Sequence, residues 1–62
     1  MKFIIHTYDP EREDGWYVSK VSPNLNDFDR DEQYWFNMIL KGKTGLYRGY
    51  MEDFNTMFTI ED

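Results

Sequence analysis

The chain predicts a small α+β fold, one antiparallel sheet with a single helix packed across it in the order β-β-α-β-β. Three observations carry that expectation. Short runs rich in β-branched and aromatic residues recur at Lys2–Tyr8, 16–21, 46–51 and 56–60. Gly, Pro and clustered acids break the chain between them. One longer stretch, 27–41, carries helix-end signals at both ends. Sixty-two residues make a single domain spanning 1–62, with no room for a second core.

The first run, KFIIHTY, reads as a strand, and WYVSKV at 16–21 as its antiparallel partner. The connection between them, Asp9-Pro10-Glu11-Arg12-Glu13-Asp14-Gly15, has Pro near its start and Gly at its end, so the hairpin should end in a long, highly charged tip. Pro23 ends the second strand, since it cannot donate to a ladder and biases Ser22 to extended geometry.

The stretch 27–41 reads two ways. As a strand, both alternating sets contain large apolar groups. As a helix, Phe28, Trp35 and Ile39 form one stripe flanked by Phe36 and Met38, with Arg30, Gln33, Asn37 and Lys41 on the other side. The ends favour the helix. Asn26 or Asp27 can cap it, acids crowd its first turns, and Gly42 stands where a left-handed residue terminates a helix. The alternative, with this stretch extended, is an all-β five-stranded barrel. Residues 46–51 carry Tyr47 and Tyr50 with Gly49 between them, and 56–60 supply Met57, Phe58 and Ile60. Phe3, Trp16, Phe28, Trp35, Phe36 and Phe58 are the aromatic candidates for the core. The tyrosines, with a polar tip, suit half-exposed positions.

Composition narrows the function. Twelve acids against seven bases give a net charge of −5. The bases are scattered, whereas direct binding to DNA or RNA needs them clustered. An anionic membrane surface would repel the chain, and no apolar run approaches spanning length. No cysteine is present, which excludes disulfides and cysteine-ligated zinc and fits the cytoplasm.

No catalytic or cofactor pattern is complete. Gly42-Lys43-Thr44 has the ending of a phosphate-binding loop, but Asn37 stands where its first glycine belongs and the helix precedes rather than follows. Asp27, Asp29 and Asp31 alternate as in a calcium loop, but Glu32 replaces the required Gly and Met38 the required Glu. His6 is the only histidine and has no Ser or Asp pattern suggesting a triad. The chain is therefore expected to be a non-enzyme that takes no cofactor.

Acids and aromatics together point instead to protein binding. Rings anchor interfaces, and carboxylates match the basic grooves of proteins that handle nucleic acid. The acids group at 9–14, at 27–32 and at 52–53 with 61–62. Duplex DNA presents one charge per roughly 1.7 Å of axis, so carboxylates gathered on one face can compete for a basic groove. The expected contact residues are Glu11, Glu13 and Asp14 of the hairpin tip, Asp29, Asp31 and Glu32 of the helix start, and Tyr47 and Tyr50 beside them. The plain reading of the same acids is solvation of loops and of a helix start.

The opening MKFIIHTYDPEREDGWYVSKVSPNL resembles the first hairpin of HicB-type antitoxins, through Asp14-Gly15-Trp16-Tyr17 and Pro23-Asn24-Leu25. The family's following Gly-Cys signature and its DNA-binding tail have no counterpart here. The resemblance implies a small sheet domain that inhibits a toxin. Small, acidic, cysteine-free domains are also common among phage proteins for host takeover and anti-defence, an analogy of size and charge. The expected function is thus an inhibitor of a basic protein by acidic mimicry. The alternative is an antitoxin-like or self-assembling subunit that forms a homodimer through exposed aromatics.

Overall fold

The computed structural model describes residues 1–42, 48–50 and 55–61, with 48–50 described by their backbone alone. Strands β1 (Lys2–Tyr8) and β2 (Trp16–Ser22) form the first hairpin. A 3-10 turn (Leu25–Asp27) leads into helix α1 (Arg30–Leu40), which is followed by β3 (Arg48–Tyr50) and β4 (Thr56–Glu61). The expected α+β order is observed. The sheet order is β2-β1-β4-β3, antiparallel throughout. The sheet is open, with β2 and β3 as edges, so the barrel alternative is overturned: 30–40 is helical and supplies no fifth strand.

The helix begins later than the sequence suggested. Asp29, not Asn26 or Asp27, is the N-cap. Its Oδ1 accepts from the Glu32 amide at 2.9 Å, while the Asp29 amide donates to Glu32 Oε1 at 3.0 Å. This reciprocal capping box satisfies two groups that every helix start leaves open. Asp27 is engaged elsewhere, as the acceptor for the hydroxyl of the buried Ser22. At the other end Gly42 has φ 76°, and its amide donates to the Ile39 carbonyl at 2.9 Å. The expected glycine terminator is in place.

One face of the sheet meets the helix. Phe3 and Ile5 of β1 and Phe58 and Ile60 of β4 pack with Phe28, Phe36 and Ile39. Phe36 is the centre: its ring lies 5.2 Å from Phe3, 4.9 Å from Phe28 and 5.1 Å from Phe58, each edge to face. Such pairs add about 0.5–1.5 kcal/mol beyond their area. Trp35 stacks on Phe58 at 6.2 Å from a half-buried position. Trp16, expected in the core, lies outside this cluster and packs against Tyr8 at 5.3 Å. The register explains why. Tyr8 and Trp16 are partners, and Tyr8 is an even-numbered residue of a strand whose odd residues Phe3 and Ile5 face the helix.

Strand β2 holds a β-bulge. Ile5 pairs with Lys20 but His6 pairs with Val18, leaving Ser19 as the extra residue. Ser19 Oγ donates to the Ile5 carbonyl at 3.1 Å and accepts from Thr7 Oγ1 at 2.9 Å. The bulge resets the alternation. Trp16, Val18 and Val21 share the face away from the helix, while Tyr17, Lys20 and Ser22 share the helix side. Lys20 uses that placement: its Nζ lies 4.8 Å from the Phe28 ring centroid, donates to the Asp27 carbonyl at 2.6 Å, and sits 3.9 Å from Glu32.

Candidate functional site

The hairpin tip, 9–15, gathers Asp9, Glu11, Glu13 and Asp14 on one short connection. Its geometry starts with Asp9-Pro10. The Arg12 amide donates to the Asp9 carbonyl at 3.0 Å, closing a turn with Pro at its second position, where the fixed φ suits it. The Glu11 amide donates to Asp9 Oδ1 at 3.0 Å, so Asp9 is spent on holding the turn. The tip closes where the Asp9 amide donates to the Gly15 carbonyl at 2.6 Å. Gly15 has φ 79° and is buried under the Tyr8 ring, where a Cβ would collide with ring carbons. Only glycine meets both demands.

Glu11, Glu13 and Asp14 are thereby presented to solvent. Arg12 is the one base among them. It lies 3.8 Å from Asp14 and 4.8 Å from the Tyr17 ring centroid, drawn toward the strand. Arg12, Glu13 and Asp14 line an open surface depression.

The helix start differs. Asp29 and Glu32 form the capping box, and Glu32 also faces Lys20. Asp31 is exposed in the first turn, where the helix dipole favours an acid. Two of the three expected contact residues here are thus parts of the fold.

The structure does not bring the two acid clusters together. The tip precedes Trp16 and the helix start follows Ser22, so the seven residues of β2 separate them. At about 3.3 Å per residue that is roughly 20 Å. Tyr47 lies outside the described residues. Tyr50 ends β3 with its backbone in register with Met57, and its side chain lies outside them too.

His6 is a strand residue whose Nε2 lies 2.9 Å from Thr59 Oγ1. Among the described residues no group of three His, Asp or Glu side chains is placed to hold a metal ion. No helix among them is long and apolar enough to cross a membrane. Comparison with protein-family models, with curated proteins and with solved structures finds no match for this chain.

The feature that sequence reasoning missed is that Val18 and Val21 share the sheet face away from the helix. Uninterrupted alternation along 16–21 would have put Val21 opposite Val18. The only signal for the bulge was the Ser19-Lys20 pair inside an otherwise apolar run, and that pair also fits an unbroken edge strand.

Proposed function

We infer that this chain is a non-enzymatic, acidic protein-binding domain that inhibits or sequesters a basic, nucleic-acid-handling protein in the cytoplasm. The observation that carries the reading is the hairpin tip. Glu11, Glu13 and Asp14 stand exposed on a turn built by Asp9, Pro10 and Gly15, so none of the three is needed to hold it. Carboxylates clustered on a pre-shaped turn suit a groove that otherwise takes phosphates. The helix-start acids are assigned to the fold, and Asp31 alone of that group is left as a secondary contact. Size and charge match phage proteins that disarm host nucleic-acid machinery, which makes such machinery the first place to seek the partner.

The test is affinity capture from a bacterial lysate, comparing the wild type with a Glu11→Gln, Glu13→Gln, Asp14→Asn variant at low and high salt. The proteins held by the wild type should be basic nucleic-acid binders, released by salt and absent from the variant. Retention of the same proteins by the folded variant would remove the tip from the account.

A further inference from the structure

The hairpin tip holds one base, and that base lies against one of the acids. Arg12 stands between Glu11 and Glu13 and cuts the charge of 9–15 from −4 to −3. Its guanidinium carbon lies 4.8 Å over the Tyr17 ring centroid, and its Nε lies 3.8 Å from Asp14 Oδ1. A ring face beneath and a carboxylate at the edge are the two groups a guanidinium seeks, since the flat cation stacks on the ring while its N–H groups turn to the oxygens. Arg12 therefore fills a guanidinium seat with a group from the same loop.

The seat is built from parts that the fold holds, and it is filled by a part the fold does not need. Tyr17 is half-buried on β2, in register with Thr7. Asp14 precedes Gly15, which the Tyr8 ring covers. The turn is closed by Asp9 and by the backbone of Glu11, Arg12 and Gly15, with no bond from the Arg12 side chain. Arg12 adjoins Glu11 and Glu13 in sequence, yet among the described residues its ion pair is with Asp14, on the side where the ring lies. Charge alone does not select that acid. The Arg12 and Asp14 side chains are 51% and 72% exposed, and an ion pair so open to water holds weakly. Arg12, Glu13 and Asp14 line the open depression, of about 450 Å³, so the seat faces the surface that a partner would approach.

We propose that Arg12 is an internal competitor: it occupies the place that an arginine of the basic partner takes, and binding displaces it. This rests on the tip being the binding surface, and it adds the group recognised there and the contact that restrains it. The group is arginine rather than lysine, because a lysine ammonium is a compact, strongly hydrated point charge that gains less from a ring face. The restraint follows from populations. A partner meets only the fraction of molecules whose seat is vacant, and its apparent affinity falls by that fraction. A single cation gains the seat alone, whereas a partner with several bases also gains Glu11 and Glu13. The contact thus favours partners whose bases are clustered.

Titration of the isotope-labelled chain with hexa-arginine and hexa-lysine peptides, followed by NMR at about 50 mM salt to limit screening, tests the proposal. In the free wild type the Arg12 δ protons should lie upfield, under the ring current of Tyr17, and saturation with hexa-arginine should return them to the ordinary arginine position. Hexa-arginine should bind about fivefold or more tighter than hexa-lysine. Arg12→Lys keeps the net charge at −5 but gives up the stacked guanidinium, so it should bind hexa-arginine about threefold tighter than the wild type does. Arg12→Gln should bind about tenfold tighter, since a like charge leaves the tip as well. Proton-nitrogen correlation spectra check the fold of both variants, and the wild-type Arg12 signals give a readout that needs neither. Arg12 protons that are unshifted in the free chain, or that stay in place while the tip amides respond, overturn the proposal. Equal affinities for the two peptides overturn it, as does a folded Arg12→Lys variant that binds no tighter. Each of those outcomes leaves the acidic tip as the binding surface. Tip amides that respond to neither peptide overturn the proposal together with the reading it rests on.

Discussion

At the residue scale the acids divide by what their oxygens already hold. Asp29 closes the capping box while Asp31, two positions on, is exposed. Asp29→Ala should therefore cost about 0.5–2 kcal/mol, and Asp31→Ala should stay within about 0.5 kcal/mol. Urea unfolding of the two variants checks the difference, and equal effects would break the assignment. Gly15 is the second such position. Gly15→Ala meets the positive φ, worth about 1–2 kcal/mol, and the Tyr8 ring as well. The variant should lose about that much stability, and the amide shifts of the tip should move with it. Both features were partly legible in the sequence. Gly15 stood at the end of a polar connection, and acids stood before an apolar run. Which acid caps was legible but missed: Asp29 has Glu32 three residues on, the capping-box spacing, where Asp27 has Arg30 and is taken instead by the hydroxyl of Ser22.

At the element scale the four strands and the helix lie where composition placed them, because each is a run whose period and end signals agree. The boundaries that moved did so for tertiary reasons. The helix lost its first residues to a 3-10 turn that seats Phe28 against Phe3 and Phe36. β2 gained a residue that local sequence does not demand. The bulge makes a sharp prediction. Deleting Ser19 leaves Ile5 opposite Lys20 and His6 opposite Val18 in an unbroken ladder, so every side chain keeps its face. That deletion should fold, with stability changed by about 1 kcal/mol through the lost Ser19 hydrogen bonds. Deleting Thr59 from the regular strand β4 shifts Ile60 relative to Phe58 and turns one of them out of the core, so that variant should not fold. Proton-nitrogen correlation spectra distinguish the outcomes; an unfolded Ser19 deletion would mean that the bulge itself is essential.

At the scale of the whole molecule, charge and apolar surface are separated. Among the described residues every acid but Glu61 sits at one of the two ends of the hairpin, while Val18 and Val21 lie on the sheet face away from the helix. No basic patch emerges among the described residues to offset the net charge. Binding to duplex DNA or RNA is therefore expected to be undetectable by gel shift at about 150 mM salt, and a clear shift at micromolar protein would contradict that. The separation was not visible in the sequence, which shows acids in clusters but not that a strand of about 20 Å lies between two of them. It also changes how mimicry would have to work. One compact tip, rather than a broad acidic face, must supply most of the electrostatic steering.

The most direct measurement of that claim is the association rate between this chain and its captured basic partner as a function of ionic strength. Wild type and the Glu11→Gln, Glu13→Gln, Asp14→Asn variant are compared by stopped flow. If the tip does the steering, the wild-type rate falls steeply with salt, and the variant starts slower with a much flatter slope. A folded variant with the wild-type rate and the wild-type slope would contradict the account.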